Sequence, residues 1–213
     1  MTSPQPILIA TGNPGKYREI VAVLTESLIL PVRWLPLSEL GRKIEEPVED
    51  GPTFAENAAL KARWYSTRSG LWTLADDSGL EVDALGGAPG VFSARFAGEK
   101  SGTSRLEIDA ANNRKLIAAL AGVPAERRTA RFRCCVALAD GKRVLATAEG
   151  VVEGRMIDEP RGTGGFGYDP HFLLPDLGLT TAELPSEHKN RISHRGGALR
   201  MLAPHLERLL GDG

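Results

Sequence analysis

One segment constrains this chain more than any other: LADDSGLEVDALGGAPGVFSARFAG, from Leu74 to Gly98. It sets two adjacent carboxylates, Asp76 and Asp77, at the end of an apolar run and follows them with Ser78-Gly79. Read locally, this is a strand that ends in paired acids and a tight turn. Such a place suits a divalent cation. Hard cations such as Mg2+ take oxygen ligands, usually one or two carboxylates completed by water and phosphate oxygens. The competing reading is an acidic surface turn, and the segment alone does not separate the two. Its company along the chain does.

At 213 residues the chain is of a size for one domain, or for two lobes sharing a core. Its 42% hydrophobic and 25% charged residues are ordinary for a globular protein. A formal net charge of -1 provides no footprint for nucleic acid and no basic face for a membrane. No run approaches the roughly 20 apolar residues of a membrane span. The start, MTSPQPILIATGN, lacks the basic segment and long apolar core of a secretory signal. Cys134 and Cys135 are the only cysteines. As neighbours on a strand they would point to opposite faces, which argues against a disulfide or a shared metal site and fits a reduced cytoplasmic protein. Histidines 171, 188, 194 and 205 show no zinc-binding spacing.

Pro6 to Ala10 predicts a short strand, TGNPGK a loop, and YREIVAVLTESL a helix beginning near Pro14. Residues 36–52 carry prolines, glycines and five acids, and read as an acidic loop. Thr53 and Glu56 form a capping-box pattern for an alanine-rich helix that ends before Gly70. Ser104 and Glu107 repeat the pattern for a helix reaching Leu120. Asp140-Gly141 lies between two strand-like runs and predicts a hairpin. A short helical turn is expected from Ser186 or Glu187. A last helix follows SHRGG and is kinked or restarted at Pro204. Alternating strands and helices followed by clustered antiparallel strands predict an α/β fold with a mixed sheet.

TGNPGK, Thr11 to Lys16, joins a strand to a helix, where amides and the helix dipole favour a phosphate. It is not a Walker A loop: Ala10 stands where that motif needs glycine, and Tyr17 where it needs Ser or Thr. Gly162 to Gly167 formally fits GxGxxG but leads into YDPHFLLP rather than a helix, which excludes the dinucleotide fingerprint. Two uses stay open from the residues alone: close backbone approach to a ligand, with Phe166 or Tyr168 able to stack on a planar base, or a sharp glycine turn between strands. Lys189, His194 and Arg195 crowd into HKNRISHRGG, where they could meet phosphate or a base carbonyl, or form a solvated basic turn. Glu56 and Lys61 are equally ambiguous, as capping residue and helix decoration. An anion cradle, an acid cluster, a stacking loop and a basic clamp together are the parts of an enzyme that acts on a nucleoside triphosphate with Mg2+.

The segments TGNPGKYREI, EDGPTFAENAALKA, ADDSGLEVDALGGAPGVFSARFAG, GTGGFGYDPHF and HKNRISHRGGAL, in this order over nearly the whole length, resemble the inosine triphosphate pyrophosphatase family. The resemblance implies a two-lobed mixed sheet flanked by helices with a central nucleotide cleft, and a homodimer. It implies hydrolysis of ITP, dITP and XTP to the monophosphate and pyrophosphate. Carried over by position, Thr11, Gly12, Asn13, Pro14, Gly15 and Lys16 would bind the triphosphate. Asp77 would be catalytic acid and metal ligand, with Ser78 touching substrate beside it. Phe166, Gly167, Tyr168 and Asp169 would meet the nucleoside, with Phe166 over the base. Lys189, His194 and Arg195 would hold the base and nearby groups. Glu49 best matches a second Mg2+ ligand, although Glu45 and Glu46 share its loop, and Asp76 is a further candidate. Two other readings stay open: a pyrophosphatase for another altered or pyrimidine nucleotide, and a catalytically silent nucleotide-binding regulator. A purine with a 6-oxo group would be preferred wherever donors face that oxygen, because an adenine amino group would meet donor with donor.

Overall fold

A buried apolar strand, β1 (Gln5–Ile9), pairs in parallel with β2 (Val32–Pro36) on one side and β3 (Trp72–Val82) on the other. The computed structural model describes residues 4–98 and 104–211. The sheet is completed by β4 (Thr129–Asp140), β5 (Arg143–Met156), β6 (Phe172–Leu174) and β7 (Leu179–Thr180), in the order β2-β1-β3-β4-β5-β6-β7. Parallel pairing at β1 gives way to antiparallel pairing at β5–β6 and β6–β7, so the sheet is mixed as the element order predicts. Gly141, at φ +56°, lies in the two-residue connection from β4 to β5 that Asp140-Gly141 predicts.

Five helices accompany the sheet among the described residues: α1 (Pro14–Ser27), α2 (Phe54–Ser69), α3 (Arg105–Ala119), α4 (Ser186–Ile192) and α5 (His194–Gly211). Their starts follow local chemistry. The Asn13 side chain caps α1, Thr53 caps α2, and Ser104 with Glu107 closes a complete capping box on α3. Gly70 takes the left-handed conformation that ends α2.

The chain divides into two compact units. The first comprises Met1–Asp77, Cys134–Gly150 and His194–Gly213. Its core joins Ile7, Ile9, Ile20, Leu24, Leu74, Leu138, Leu199 and Leu202, all fully buried or nearly so. Each such side chain contributes about 1.5–3 kcal/mol relative to exposure. The second comprises Ser78–Arg133 and Val151–Ser193. Leu80, Val82, Leu116, Leu120, Phe132 and Phe172 form its core, and the Phe132 and Phe172 rings lie 4.5 Å apart.

Two expectations are corrected. The acid pair does not end a strand: β3 runs unbroken from Trp72 to Val82, with Asp76 and Asp77 inside it and no turn at Ser78-Gly79. Cationic side chains meet both acids, so burial in the strand is compensated and the chain has no need to leave the sheet. The last helix begins at His194, ahead of the Gly196-Gly197 pair, and continues through Pro204. The glycine that close packing requires here is Gly150, since a Cβ on Gly197 would meet only the Gly150 Cα, at 3.8 Å. A Cβ on Gly150 of β5 would stand 2.1 Å from the His194 carbonyl oxygen and 2.5 Å from the Ala198 nitrogen. Pro204 and Arg200, four residues before it, lie on the exposed face, while Leu199, Leu202, Ala203 and Leu206 hold the buried one.

Candidate active site

Because successive strand residues face opposite sides of a sheet, the position of Asp76 and Asp77 inside β3 sends them into different surroundings. Asp76 meets Lys16 of α1 at 3.0 Å and Arg195 of α5 at 3.2 Å. Arg195, only 2% exposed, also pairs with Glu19 of α1. Asp77 meets Lys61 of α2 at 3.4 Å, and the same ammonium lies 3.1 Å from Glu49. All of these groups belong to the first unit. One strand thus carries two carboxylates in two electrostatic settings.

The settings push in opposite directions. Burial would raise the Asp76 pKa, but Lys16, Arg195 and Lys61 outweigh it and hold the carboxyl far below the usual range. Asp76 is a fixed anion. Burial raises the Asp77 pKa; Lys61 and Lys16 oppose, Glu49 and Asp76 reinforce, and the balance stays upward. Burial works against the Lys61 charge, yet Asp77, Glu49 and Asp76 together raise its pKa. The Oδ2 atom of Asp77 is buried and has no hydrogen-bond partner among the described residues. A buried carboxylate oxygen left unbonded costs about 1–3 kcal/mol, so its natural complement is a cation or a water brought in with a ligand. Among the described residues no three His, Cys, Asp or Glu side chains form a ready metal cage. Mg2+ needs none, since it binds through one or two carboxylates with substrate phosphates and water. Asp77 and Glu49 fit it.

At the Thr11 to Lys16 turn, the Asn13 side chain accepts from the amides of Gly15, at 2.8 Å, and Lys16, at 3.3 Å. Thr11 Oγ1 accepts from the Asn13 amide, and the Tyr17 amide donates to the Asn13 carbonyl. Pro14 has no N–H to offer. The amides of the first turn are therefore already engaged, and what this turn presents to an anion is the helix dipole and the Lys16 charge. Gly12 borders the acidic loop: a Cβ there would lie 3.5 Å from a Glu46 carboxylate oxygen.

The second unit holds a separate constellation. Asp169 accepts from the Phe166 amide at 2.8 Å, the Thr181 hydroxyl at 2.8 Å and the Lys189 ammonium at 2.6 Å. Lys189 is buried, and its nitrogen stands 5.0 Å from the centre of the half-buried Phe166 ring. Gly165, at φ +73°, lets the chain pass so closely that a Cβ would fall 2.0 Å from Asp169 Oδ2. The Tyr168 hydroxyl donates to the Ser93 carbonyl, and burial raises its pKa. Ser78, the residue after Asp77 on β3, is half-buried and belongs to this unit.

Thus Thr11 to Lys16, Glu49, Asp77, His194 and Arg195 lie in the first unit, and Ser78, Phe166 to Asp169 and Lys189 in the second. His194, at the start of α5, is buried. Sequence reasoning left Lys61 ambiguous, between a site residue and helix decoration, and passed over Glu19. Lys61 follows Thr53 by two helical turns of α2, and nothing in that spacing announces Glu49 or Asp77 as its partners. The pairing of Glu19 with Arg195 joins residues 176 positions apart and leaves no local signal.

The fold is a mixed α/β sheet flanked by helices, and it carries a buried carboxylate, Asp77, that pairs with Lys61 and keeps one oxygen unbonded among the described residues. The chain belongs to the Ham1 family, whose model matches residues 7–205. It is 50% identical over 202 residues to a dITP/XTP pyrophosphatase of Geobacter sulfurreducens, covering 94% of this chain and 96% of that one. A dITP/XTP pyrophosphatase of Desulforamulus reducens is 48% identical over 205 residues, covering 95% and 96%. Among solved structures, a HAM1 protein from Coxiella burnetii superposes with a TM-score of 0.82 at 39% identity, over 96% of this chain and 99% of that chain.

Proposed function

We propose that this chain hydrolyses deaminated purine nucleoside triphosphates, ITP, dITP and XTP, to the monophosphate and pyrophosphate. The observation that carries the chemistry is the Asp77 oxygen, buried and unbonded beside Glu49 and Lys61. The names of relatives about half identical over nearly the full length support the substrate class. Asp77 and Glu49 would hold Mg2+, which when bound neutralises charge on phosphate oxygens. Asp77 orients the attacking water at the α-phosphorus; with Mg2+ beside it the carboxylate is a weaker base, so its role is to position that water. Lys16 steadies the departing pyrophosphate, with Asp76 and Arg195 fixing its charge in place. Lys61 keeps Glu49 and Asp77 from repelling each other before substrate arrives.

Phe166 stacks on the base, and Lys189, beside that ring, is the best-placed donor to a 6-oxo group. Arg195 and His194 complete the set implied by position, although the two contacts described for Arg195 are carboxylates. Thr11 to Gly15 shape the phosphate turn, Ser78 contacts substrate next to Asp77, and Gly167 to Asp169 frame the nucleoside. The same reading includes a cytoplasmic homodimer. Two free, buried cysteines accord with a reducing compartment, and among the described residues no helix is long and apolar enough to cross a membrane.

The test is to mix protein and Mg2+ with ITP, XTP, GTP or ATP and resolve pyrophosphate from orthophosphate. Pyrophosphate from ITP and XTP, with far slower release from ATP and GTP, is expected. Orthophosphate would overturn the site of attack. No turnover of any of them would favour another nucleotide or a silent binding protein.

A further inference from the structure

The loop that carries Phe166 contains Gly162, Gly164, Gly165 and Gly167, with positive φ at Gly162, Gly165 and Gly167. Such a loop has a large conformational entropy to lose. An aromatic side chain on it would recognise a flat ligand weakly unless the ordering were done beforehand. The structure does order it, from a helix to which sequence reasoning gave no role. On α3, Asp109 accepts from the Gly167 amide at 2.9 Å, and Asn113, one turn later, donates to the Gly167 carbonyl at 2.9 Å. Both polar atoms of the residue that follows Phe166 are held by one face of one helix.

The remaining bonds close the frame. The Phe166 amide donates to Asp169, and the Asp169 amide donates to the Phe166 carbonyl at 3.3 Å. Arg105, one turn before Asp109, forms an ion pair at 3.0 Å with the other Asp109 oxygen, which accepts no hydrogen bond among the described residues. Asn112 makes the helix itself a fixed reference. It is buried, accepts from the Ala97 amide at 2.7 Å, and donates to the carbonyls of Ser93 and Ala94. Asn113 has no other described partner for its amide, and its Oδ1 atom is buried without a bond. Its place is explained by the Gly167 carbonyl.

We infer that Asp109 and Asn113 are positioning residues for base recognition: they clamp the Gly167 peptide and so hold Phe166 ready for a planar base. The inference rests on the reading that Phe166 stacks on the base, and the test separates the two. Asn113→Asp keeps the shape but sets a carboxylate against the Gly167 carbonyl; Asn113→Ala removes the bond without adding charge. Asp109→Ala removes the acceptor, and Asp109→Asn returns one.

KM and kcat for ITP are measured for each variant, with inhibition constants for IMP, which carries the base, and for magnesium pyrophosphate, which does not. Loss of one clamping bond is expected to raise KM for ITP and Ki for IMP by about tenfold. The pyrophosphate Ki should not move, kcat should stay within about twofold, and Asp109→Asn should restore what Asp109→Ala loses. In a Phe166→Ala background, Asn113→Ala should add nothing further. Equal losses for IMP and pyrophosphate, or an undiminished loss in the Phe166→Ala background, would show general loosening and overturn the inference. If Phe166→Ala weakens IMP but neither Asn113 variant does, the clamp alone is wrong. If Phe166→Ala leaves IMP binding intact, the stacking reading falls and the clamp's role falls with it.

Discussion

Asp77 and Asp169 are both buried aspartates with a lysine beside them, one in each compact unit, and they are bonded in opposite ways. Asp169 is bonded on both oxygens: Thr181 donates to one, and the Phe166 amide and Lys189 donate to the other. Asp77 is held by Lys61 on one oxygen at a long 3.4 Å, and its second oxygen is buried without a partner. Folding alone favours the first arrangement. A carboxylate with both oxygens engaged is part of a frame. In the function proposed, the open Asp77 oxygen is where a cation or water would arrive with substrate. The difference teaches where to look for chemistry and where to look for recognition.

The sharpest way to break this comparison is to neutralise each aspartate in turn. Asp77→Asn is expected to lower kcat on ITP by about 10³-fold at saturating Mg2+, with no loss of thermal stability. Near-normal turnover would remove Asp77 from the chemistry. Asp169→Asn should instead leave Lys189 buried without its counter-charge and cost about 3–5 kcal/mol of stability, read by denaturant unfolding. If Asp169→Asn were as stable as wild type, the description of that carboxylate as frame would fail.

Acid titration sharpens the contrast within β3. The Asp76 pKa is depressed in the fold, so its ionisation stabilises; that contribution is complete above the unfolded value of about 3.9 and fades as pH falls through the folded one. The Asp77 pKa is raised in the fold, so its ionisation opposes folding, a deficit absent below the unfolded value and complete above the folded one. In metal-free buffer at neutral pH, Asp77→Asn should therefore melt above wild type, with the gap closing on acidification through the carboxylate range. Asp76→Asn should melt below it. The reverse order would contradict the two electrostatic settings. The smallest effect expected is that of Thr53→Ala, which removes the cap of α2 and should cost about 1 kcal/mol with little change in kcat.

Much of the fold was legible because it is written locally. The start of α1 at Pro14, the caps at Thr53 and Ser104 and the Asp140-Gly141 connection each depend on residues a few positions apart. The errors came where tertiary contacts override local chemistry. Asp-Asp-Ser-Gly reads as a turn until Lys16, Lys61 and Arg195 are present to compensate the two acids inside a strand. Gly196-Gly197 reads as a loop, yet both lie inside α5, whose first turn packs tightly on Gly150. The acids and the glycine loop of the candidate site could be picked out by residue type. Glu19, Lys61, Asp109 and Asn113 could not, because each acts through a partner distant in the chain.

The most direct test of the central claim, water delivered to the α-phosphorus beside Asp77, is hydrolysis of ITP in oxygen-18 water followed by phosphorus NMR. The account predicts that the label appears in IMP and that pyrophosphate is released unlabelled. Label in pyrophosphate or in orthophosphate would mean attack at another phosphorus, and would contradict it.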